Sequence, residues 1–454
     1  MRNILNRNII VDNISFSGNS KSQLYTKIDK VKALLTDRGA KKGDLVTISI
    51  LPVTDYHIAS IFACAELGIK IIILDSPATE LSLPYTKLAL HGPSDYFIYD
   101  SSLDMSKVYG GLHNKMLSRY GGKSIDVRKS PQLDKSGQWP VRTYEDKVFP
   151  DDPFLLGSTS GSTQPSRPVL FSHQEVYEIS KRNISVFKFN ENSRVIHSRN
   201  LHHASALLTS LLPSLMSARQ HETFSIGHDL SHDESGDYLK GLKMIYNSRM
   251  THIMIPNRDE LMDFLDTFPE PFIEQLNINM CGFPIDESFK ELSKKHNVRF
   301  MSHYGSVDTA IPLLVNFVDK DSEVKENGLG VLPDNFYQFD GKEIMCDLWD
   351  EPRYIEDKLY MVDGQFFIEP RKENTARYVS KLFEGLDVDL KLFMQDTKLN
   401  MEQLRGHETE LLCQQIEKDL HKRVAILQLA SGGVAKFVLS KDYSPSKYPI
   451  HSED

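Results

Sequence analysis

Thr159, Ser160, Gly161, Ser162 and Thr163 set hydroxyls on both sides of a glycine, directly after the apolar run FLLG at 154–157. Backbone N–H groups free to converge on oxygen, little side-chain bulk and added hydroxyl donors suit a chain of phosphates. The string is not a Walker A loop, because GxxxxGK followed by Ser or Thr occurs nowhere in the sequence. A solvated turn uses the same residue types, so the string alone leaves both readings open. Arg167 adds weight to phosphate, since a guanidinium grips phosphate oxygens with a bidentate fork.

Other chemistry is excluded by what the chain lacks. Cys64, Cys281, Cys346 and Cys413 show no CxxC or Cys/His spacing, so neither a disulfide framework nor a zinc site is indicated, and the expected compartment is reducing. A net charge of −9 argues against nucleic acid, which needs clustered positive charge to displace counterions. The opening MRNILNRNIIVDN has no apolar run long enough for a secretion signal. The most apolar window, 59–74, is broken by Glu66 and Lys70 and is too short to span a bilayer. With a mean hydropathy of −0.35, the expectation is a cytoplasmic protein without a membrane span.

The elements that must position such a loop are legible in outline. A chain of 454 residues exceeds one core and implies two or three domains. Leu24, Ile28, Val31 and Leu35 predict a helix with Ser22 as N-cap, ended by Gly39. LVTISIL (45–51) reads as a buried strand, 55–67 as a helix stopped by Gly68, and IKIIIL (69–74) as a strand. The polar, glycine-containing stretch 101–124 reads as a loop or a short excursion. Strands are predicted at 194–198, 251–256, 276–282 and 298–305, with helices at 258–267 and 286–296. This alternation points to an α/β layer architecture with parallel strands. Beyond 371, a strand at 388–395, an amphipathic helix at 401–422 and a hairpin at 423–440 suggest a small α+β domain.

The stretch TSGSTQPSRPVLFSH (159–173) resembles the signature loop of the adenylate-forming superfamily, TSG(S/T)TGxPKGV followed by Ser/Thr-His. That superfamily includes acyl-CoA synthetases, peptide-synthetase adenylation domains and luciferases. Gln164, Ser166, Arg167 and Pro168 stand where it has Gly, Pro, Lys and Gly. Further matches follow in the family's order. GAKKGDLV…IIILD (39–75) is similar to its N-terminal segment, and NLHHASALLTSLLPSLMSA (200–218) to the PLFHxxGL segment of acyl-CoA synthetases. MTHIMIP (250–256) resembles the strand before the substrate pocket, CGFPID (281–286) the GAPL turn, and HYGSVDTA (303–310) the YGxTE motif. The resemblance covers about residues 20–375.

It implies an enzyme in which a carboxylate attacks the α-phosphorus of ATP, with Mg²⁺, giving an acyl-adenylate. Thr159, Ser160, Gly161, Ser162 and Thr163 would hold the β/γ-phosphates, and Arg167 would replace the family's lysine. Tyr304, in the run Tyr304-Gly305-Ser306, would stack on adenine, bordered by Gly282 and Phe283; the alternative for Tyr304 is a core aromatic. Asp308 would take the place of the Mg²⁺-binding Glu, and Val307 deletes the hydroxyl of the preceding Thr. His203 would sit at the mouth of the acyl pocket, or be a core histidine, with His202 adjacent. No Asp occurs in NLHHASA to pair with an α-ammonium, which favours an acyl or aryl acid. Asp357 is the best-spaced stand-in for the ribose-binding aspartate, with Asp347 behind it. FIEPRKE (367–373) resembles the hinge, giving Arg371 a nucleotide role and Glu373 the pivot; Lys436 is either the lid lysine or a solvated residue of a hairpin.

The expected organisation is therefore an adenylation domain at 1–370, with subdomains near 1–150 and 151–370, and a short lid-like domain at 371–454. The expected partners are a small carboxylic acid and an acceptor such as CoA or a carrier-protein phosphopantetheine. The altered loop, Val307, Asp308 and the shortened lid raise an alternative, a nucleotide-binding relative impaired in adenylation. A ligase that adenylates its own lysine would need a KxDG-type motif, which is missing.

Overall fold

The computed structural model describes residues 4–12, 14–16, 19–50, 54–74, 94–102, 123–131, 147–158, 168–197, 201, 204–223, 249–255, 258–281, 285–307, 312–355, 357–368, 423–428 and 434–439. The chain opens with a 3-10 turn at Arg7–Ile9, then β1 (Ser15–Phe16) and β2 (Asn19–Ser20). Helix α1 (Lys21–Asp37) buries Leu24, Ile28, Val31 and Leu35, as their spacing predicts. Its N-cap is Ser20 rather than Ser22. The Ser20 hydroxyl accepts from the Gln23 N–H while the Gln23 side chain accepts from the Ser20 N–H, a reciprocal capping box. Gly39, at φ +83°, supplies the left-handed conformation that turns the chain out of the helix.

β3 (Leu45–Ser49), α2 (Asp55–Leu67), β4 (Lys70–Ile73), β5 (Tyr96–Tyr99) and β6 (Lys123–Asp126) follow. β7 (Pro153–Ser158) and β8 (Pro168–Ser172) form an antiparallel hairpin. These strands make a six-stranded sheet in the order β6-β5-β3-β4-β7-β8, parallel except for the hairpin. Pro168 costs little there, because it is the first residue of an edge strand.

Helix α3 (His173–Val186) starts directly after β8. Then come β9 (Arg194–His197) and a helical stretch α4, made of Ala204–Ala206, a π turn at Leu207–Leu211, and Leu212–Ser217. β10 (Gln220–Thr223), β11 (His252–Met254), α5 (Arg258–Thr267), β12 (Leu276–Cys281), α6 (Ser288–His296), β13 (Val298–Tyr304) and β14 (Leu314–Val318) complete the second layer. The eight-stranded sheet runs β14-β13-β12-β11-β9-β10-β1-β2, antiparallel only at its two outermost pairings. The chain thus crosses between sheets on both sides of residue 150: β1 and β2 join the second sheet, β7 and β8 the first.

Packing follows the alternation along the strands. Ile278 and Met280 of β12 and Phe300 of β13 meet Leu261, Phe264 and Phe289 of α5 and α6 on one face. Met301 and Val315 meet Val186, Phe187 and Val195 on the other. Each such side chain, fully buried, contributes about 1.5–3 kcal/mol. A larger core joins α1, α2 and the first sheet to α4 and to Tyr337, Trp349 and Phe366, so the two sheets share one interior.

A small three-stranded sheet, β15 (Gln338–Phe339), β16 (Glu343–Met345) and β17 (Arg353–Tyr354), is followed by a hairpin of β18 (Leu359–Val362) and β19 (Gln365–Ile368). β20 (Arg423–Gln428) and β21 (Val434–Leu439) pair antiparallel, as the 423–440 hairpin predicts. The strand expected at 388–395, the helix at 401–422 and residues 103–122 of the expected loop lie outside the described residues. Lys123 and Ser124, expected in that loop, instead open β6 by pairing with Tyr96 and Phe97. The layered α/β architecture is the one the alternation predicts.

Candidate active site

β9, β11, β12 and β13 run parallel and leave their sheet at His197, Met254, Cys281 and Tyr304, along one edge. Ligands of open α/β sheets bind outside such carboxyl ends. Gly282 and Phe283 follow β12 in sequence, and Tyr304 ends β13 with Gly305 and Ser306 behind it. In the other sheet β7 ends at Ser158, opposite Pro168. That register makes 159–167 the connection of a hairpin.

Two contacts bring these ends together. A Cβ built on Gly157 would lie 2.9 Å from Val307 Cγ1, closer than a side-chain carbon tolerates. The root of the hairpin therefore touches the chain just after Tyr304-Gly305-Ser306, and a side chain at 157 would force Val307 to shift. The second contact spans 53 residues: the Tyr304 hydroxyl donates to Asp357 Oδ2 at 2.7 Å. The Tyr304 ring is half-buried and packs against the large core, and its carbonyl accepts from the Leu313 N–H at 2.9 Å. An aromatic face beside a carboxylate acceptor can stack a base and accept from the hydroxyls of its sugar. Asp347, the other ribose candidate, is exposed on the adjoining turn.

Sequence reasoning missed two charged residues that brace this pair. Glu175, buried in the first turn of α3, accepts from Trp349 Nε1 at 2.9 Å and from Arg353 Nη2, just upstream of Asp357. Arg182, with its side chain 3% exposed, donates from Nη1 to the Pro312 carbonyl at 2.6 Å and from Nε to Asp334. A signal existed. Residues 175 and 182 fall on the same helix face as Val176, Ile179 and Val186, and charges on an apolar face need buried partners.

The Ser172-His173 pair has a local explanation. Ser172 caps α3 by accepting from the Glu175 N–H, and Glu175 answers the Ser172 N–H at 2.8 Å. His173 is buried with its ring centroid 4.7 Å from that of Phe154, and burial pushes its pKa down to about 4. Thr159, Ser160, Gly161, Ser162, Thr163, Arg167, His203, Gly282, Phe283, Asp308, Arg371 and Glu373 lie outside the described residues. Lys436 falls on β21 opposite Ile426, where the backbone alone is described. Among the described residues, no group of three His, Cys, Asp or Glu could hold a metal, and no helix is long and apolar enough to cross a membrane.

Several solved structures share this architecture. The N-terminal domain of FACL13 from Mycobacterium tuberculosis matches with a TM-score of 0.61 and 14% identity, over 78% of this chain and 92% of that one. O-succinylbenzoate coenzyme A synthetase (MenE) from Bacillus subtilis, in complex with ATP and magnesium ion, matches at 0.63 and 16%, over 84% of each chain. The N-terminal subdomain of Klebsiella oxytoca NpsA, in complex with 3-hydroxybenzoyl-AMSN, matches at 0.61 and 14%, over 80% and 96%. At these identities the likeness speaks for the fold, that of the N-terminal domain of adenylate-forming enzymes. No curated protein matches the sequence. The model of the AMP-binding enzyme family matches residues 14–258, more than half of the chain, from β1 past β11. The chain belongs to the AMP-binding enzyme family.

Proposed function

We propose that this chain uses ATP to activate a carboxylic acid. The carboxylate attacks the α-phosphorus, the bond to the β-phosphate oxygen breaks, and the products are an acyl-adenylate and pyrophosphate. The acyl group then passes to CoA, a carrier-protein phosphopantetheine or another acceptor. The observation that carries this reading is the Tyr304–Asp357 hydrogen bond. It joins the residue expected to stack on adenine to the one expected to hold the ribose. The contact of Gly157 with Val307 supports it, since it sets the root of the Thr159–Thr163 loop beside the same turn. MenE in complex with AMP, and with ATP and magnesium ion, are solved structures of similar fold.

In this proposal Thr159, Ser160, Ser162 and Thr163 hold the β/γ-phosphates and Arg167 faces the departing pyrophosphate. His203 stands at the acyl pocket. Magnesium, when bound to ATP, neutralises phosphate charge, with Asp308 as its carboxylate. Val307, the residue before Asp308, lies against the loop root, and Asp308 would supply the carboxylate oxygen that magnesium prefers. The segment 371–454 acts as a lid that pivots at Glu373 and brings Arg371 and Lys436 to the nucleotide. A reducing, cytoplasmic setting belongs to the same proposal and suits the buried thiols Cys64 and Cys346.

The test is exchange of labelled pyrophosphate into ATP, driven by short, medium, long and aromatic acids in turn. Exchange with at least one acid, lost in Arg167→Ala, is the expected result. A protein that binds ATP but exchanges with none of them would overturn the reading.

A further inference from the structure

Glu175 and Arg182 lie seven residues apart on α3, two turns along one face and about 10 Å apart along its axis. They reach different parts of the candidate site. Glu175 Oε1 accepts from Trp349 Nε1 and Arg353 Nη2, and the Arg353 guanidinium lies over the Trp349 ring at 4.0 Å. Beyond Arg353 the chain buries Ile355 and delivers Asp357. Arg182 holds the Pro312 carbonyl, packs over the Tyr337 ring at 4.5 Å, and pairs with Asp334. The next residue, Leu313, donates to the Tyr304 carbonyl, and Leu314 is the strand partner of Tyr304. One helix face thus fixes the chain on each side of a single hydrogen bond.

We propose that Glu175 and Arg182 are positioning residues for nucleotide binding: Glu175 sets where Asp357 stands, Arg182 sets where Tyr304 stands, and both act through the hydrogen bond between them. The proposal rests on the nucleotide site proposed above. Because α3 begins where β8 ends, the same rigid element also carries the downstream strand of the 159–167 hairpin. A helix that spans all three attachments transmits a change at one of them to the others, since packed helices move as units.

A merely structural role for Glu175 would weaken the protein regardless of Tyr304. The two accounts separate in a cycle of Glu175→Gln with Tyr304→Phe, read by ATP affinity in calorimetry. Glu175→Gln is expected to weaken ATP about tenfold in the native background, and by less than about twofold once Tyr304→Phe has removed the hydroxyl. Equal weakening in both backgrounds, or none in either, overturns the proposal. Arg353→Lys probes the same link from the half-buried side if Glu175→Gln fails to fold. Arg182→Lys, which keeps a donor for Pro312, is expected to retain most of the affinity that Arg182→Met loses; equal loss counts against the proposal. A second readout needs no nucleotide: the melting shifts of Glu175→Gln and Asp357→Asn should fall short of their sum in the double variant. If the native protein binds no ATP, the site reading fails, and this melting cycle alone decides the linkage, with strict additivity overturning it.

Discussion

Gly157 shows how one missing carbon sets the spacing of the site. Its hydrogen faces Val307 Cγ1 where a methyl would come within 2.9 Å, and Phe171 and the Val169 carbonyl close the other sides. Gly157→Ala must displace the Val307 side chain or the turn that carries it, an overpacking that costs about 1–3 kcal/mol. Exchange activity is expected to fall about tenfold, as suits a sub-ångström displacement of positioned groups. Val307→Ala removes the opposing methyls, so the double variant should regain most of the exchange. Wild-type exchange in Gly157→Ala, or no recovery in the double variant, would show that this contact does not set the site. Residues of this kind were legible only in part. Tyr304 stood out because it falls at a recognisable motif position, and Asp357 only by its spacing, since the ribose motif has no clean match. Gly157, Glu175 and Arg182 carry their meaning in contacts made across about 130 to 180 residues, which spacing along the chain does not reveal.

Elements were more legible than their pairing. β3, β4, β9 and β11 to β13 announce themselves as β-branched or apolar runs, and α1 and α2 by apolar spacing and a closing glycine, whereas the polar β10 (QHET) does not. What spacing cannot show is which sheet a strand joins, because pairing is decided by long-range contacts. β1 and β2 are two residues each and join a sheet whose other strands begin beyond residue 190. The cap of α1 was misplaced by two residues for a related reason: Ser20 and Ser22 are both good caps, and the reciprocal bond to Gln23 decides between them. Ser20→Ala is expected to lower stability by about 1 kcal/mol. Ser22→Ala, which leaves the capping box in place, should stay within about 0.5 kcal/mol. Urea midpoints of the two variants compare them directly, and a larger loss in Ser22→Ala would contradict the cap.

The whole molecule carries an acid sensitivity that no single element predicts. Burial pushes the pKa of His57 down to about 3 and those of His173 and His252 to about 4, and holds His221 well below its ordinary value. The unfolded chain takes up these protons near pH 6.5 while the folded chain stays neutral, so falling pH favours unfolding. Stability is intact above pH 6.5 and declines from there as pH falls toward about 4. All four act in the same direction, so the acid limb of stability is expected to begin as pH falls below about 6.5. Carboxylates act in a lower window. Glu66 is pushed up by burial yet held low overall by hydrogen bonds from Arg7 and Lys32, so its contribution is lost only as pH falls below 4.5. Urea midpoints at pH 7.5, 6.5, 5.5 and 4.5 therefore separate the two causes. A steady decline that begins below pH 6.5 is the histidine signature, whereas a midpoint that is flat to pH 5 and collapses afterwards would assign the acid lability to the carboxylates instead.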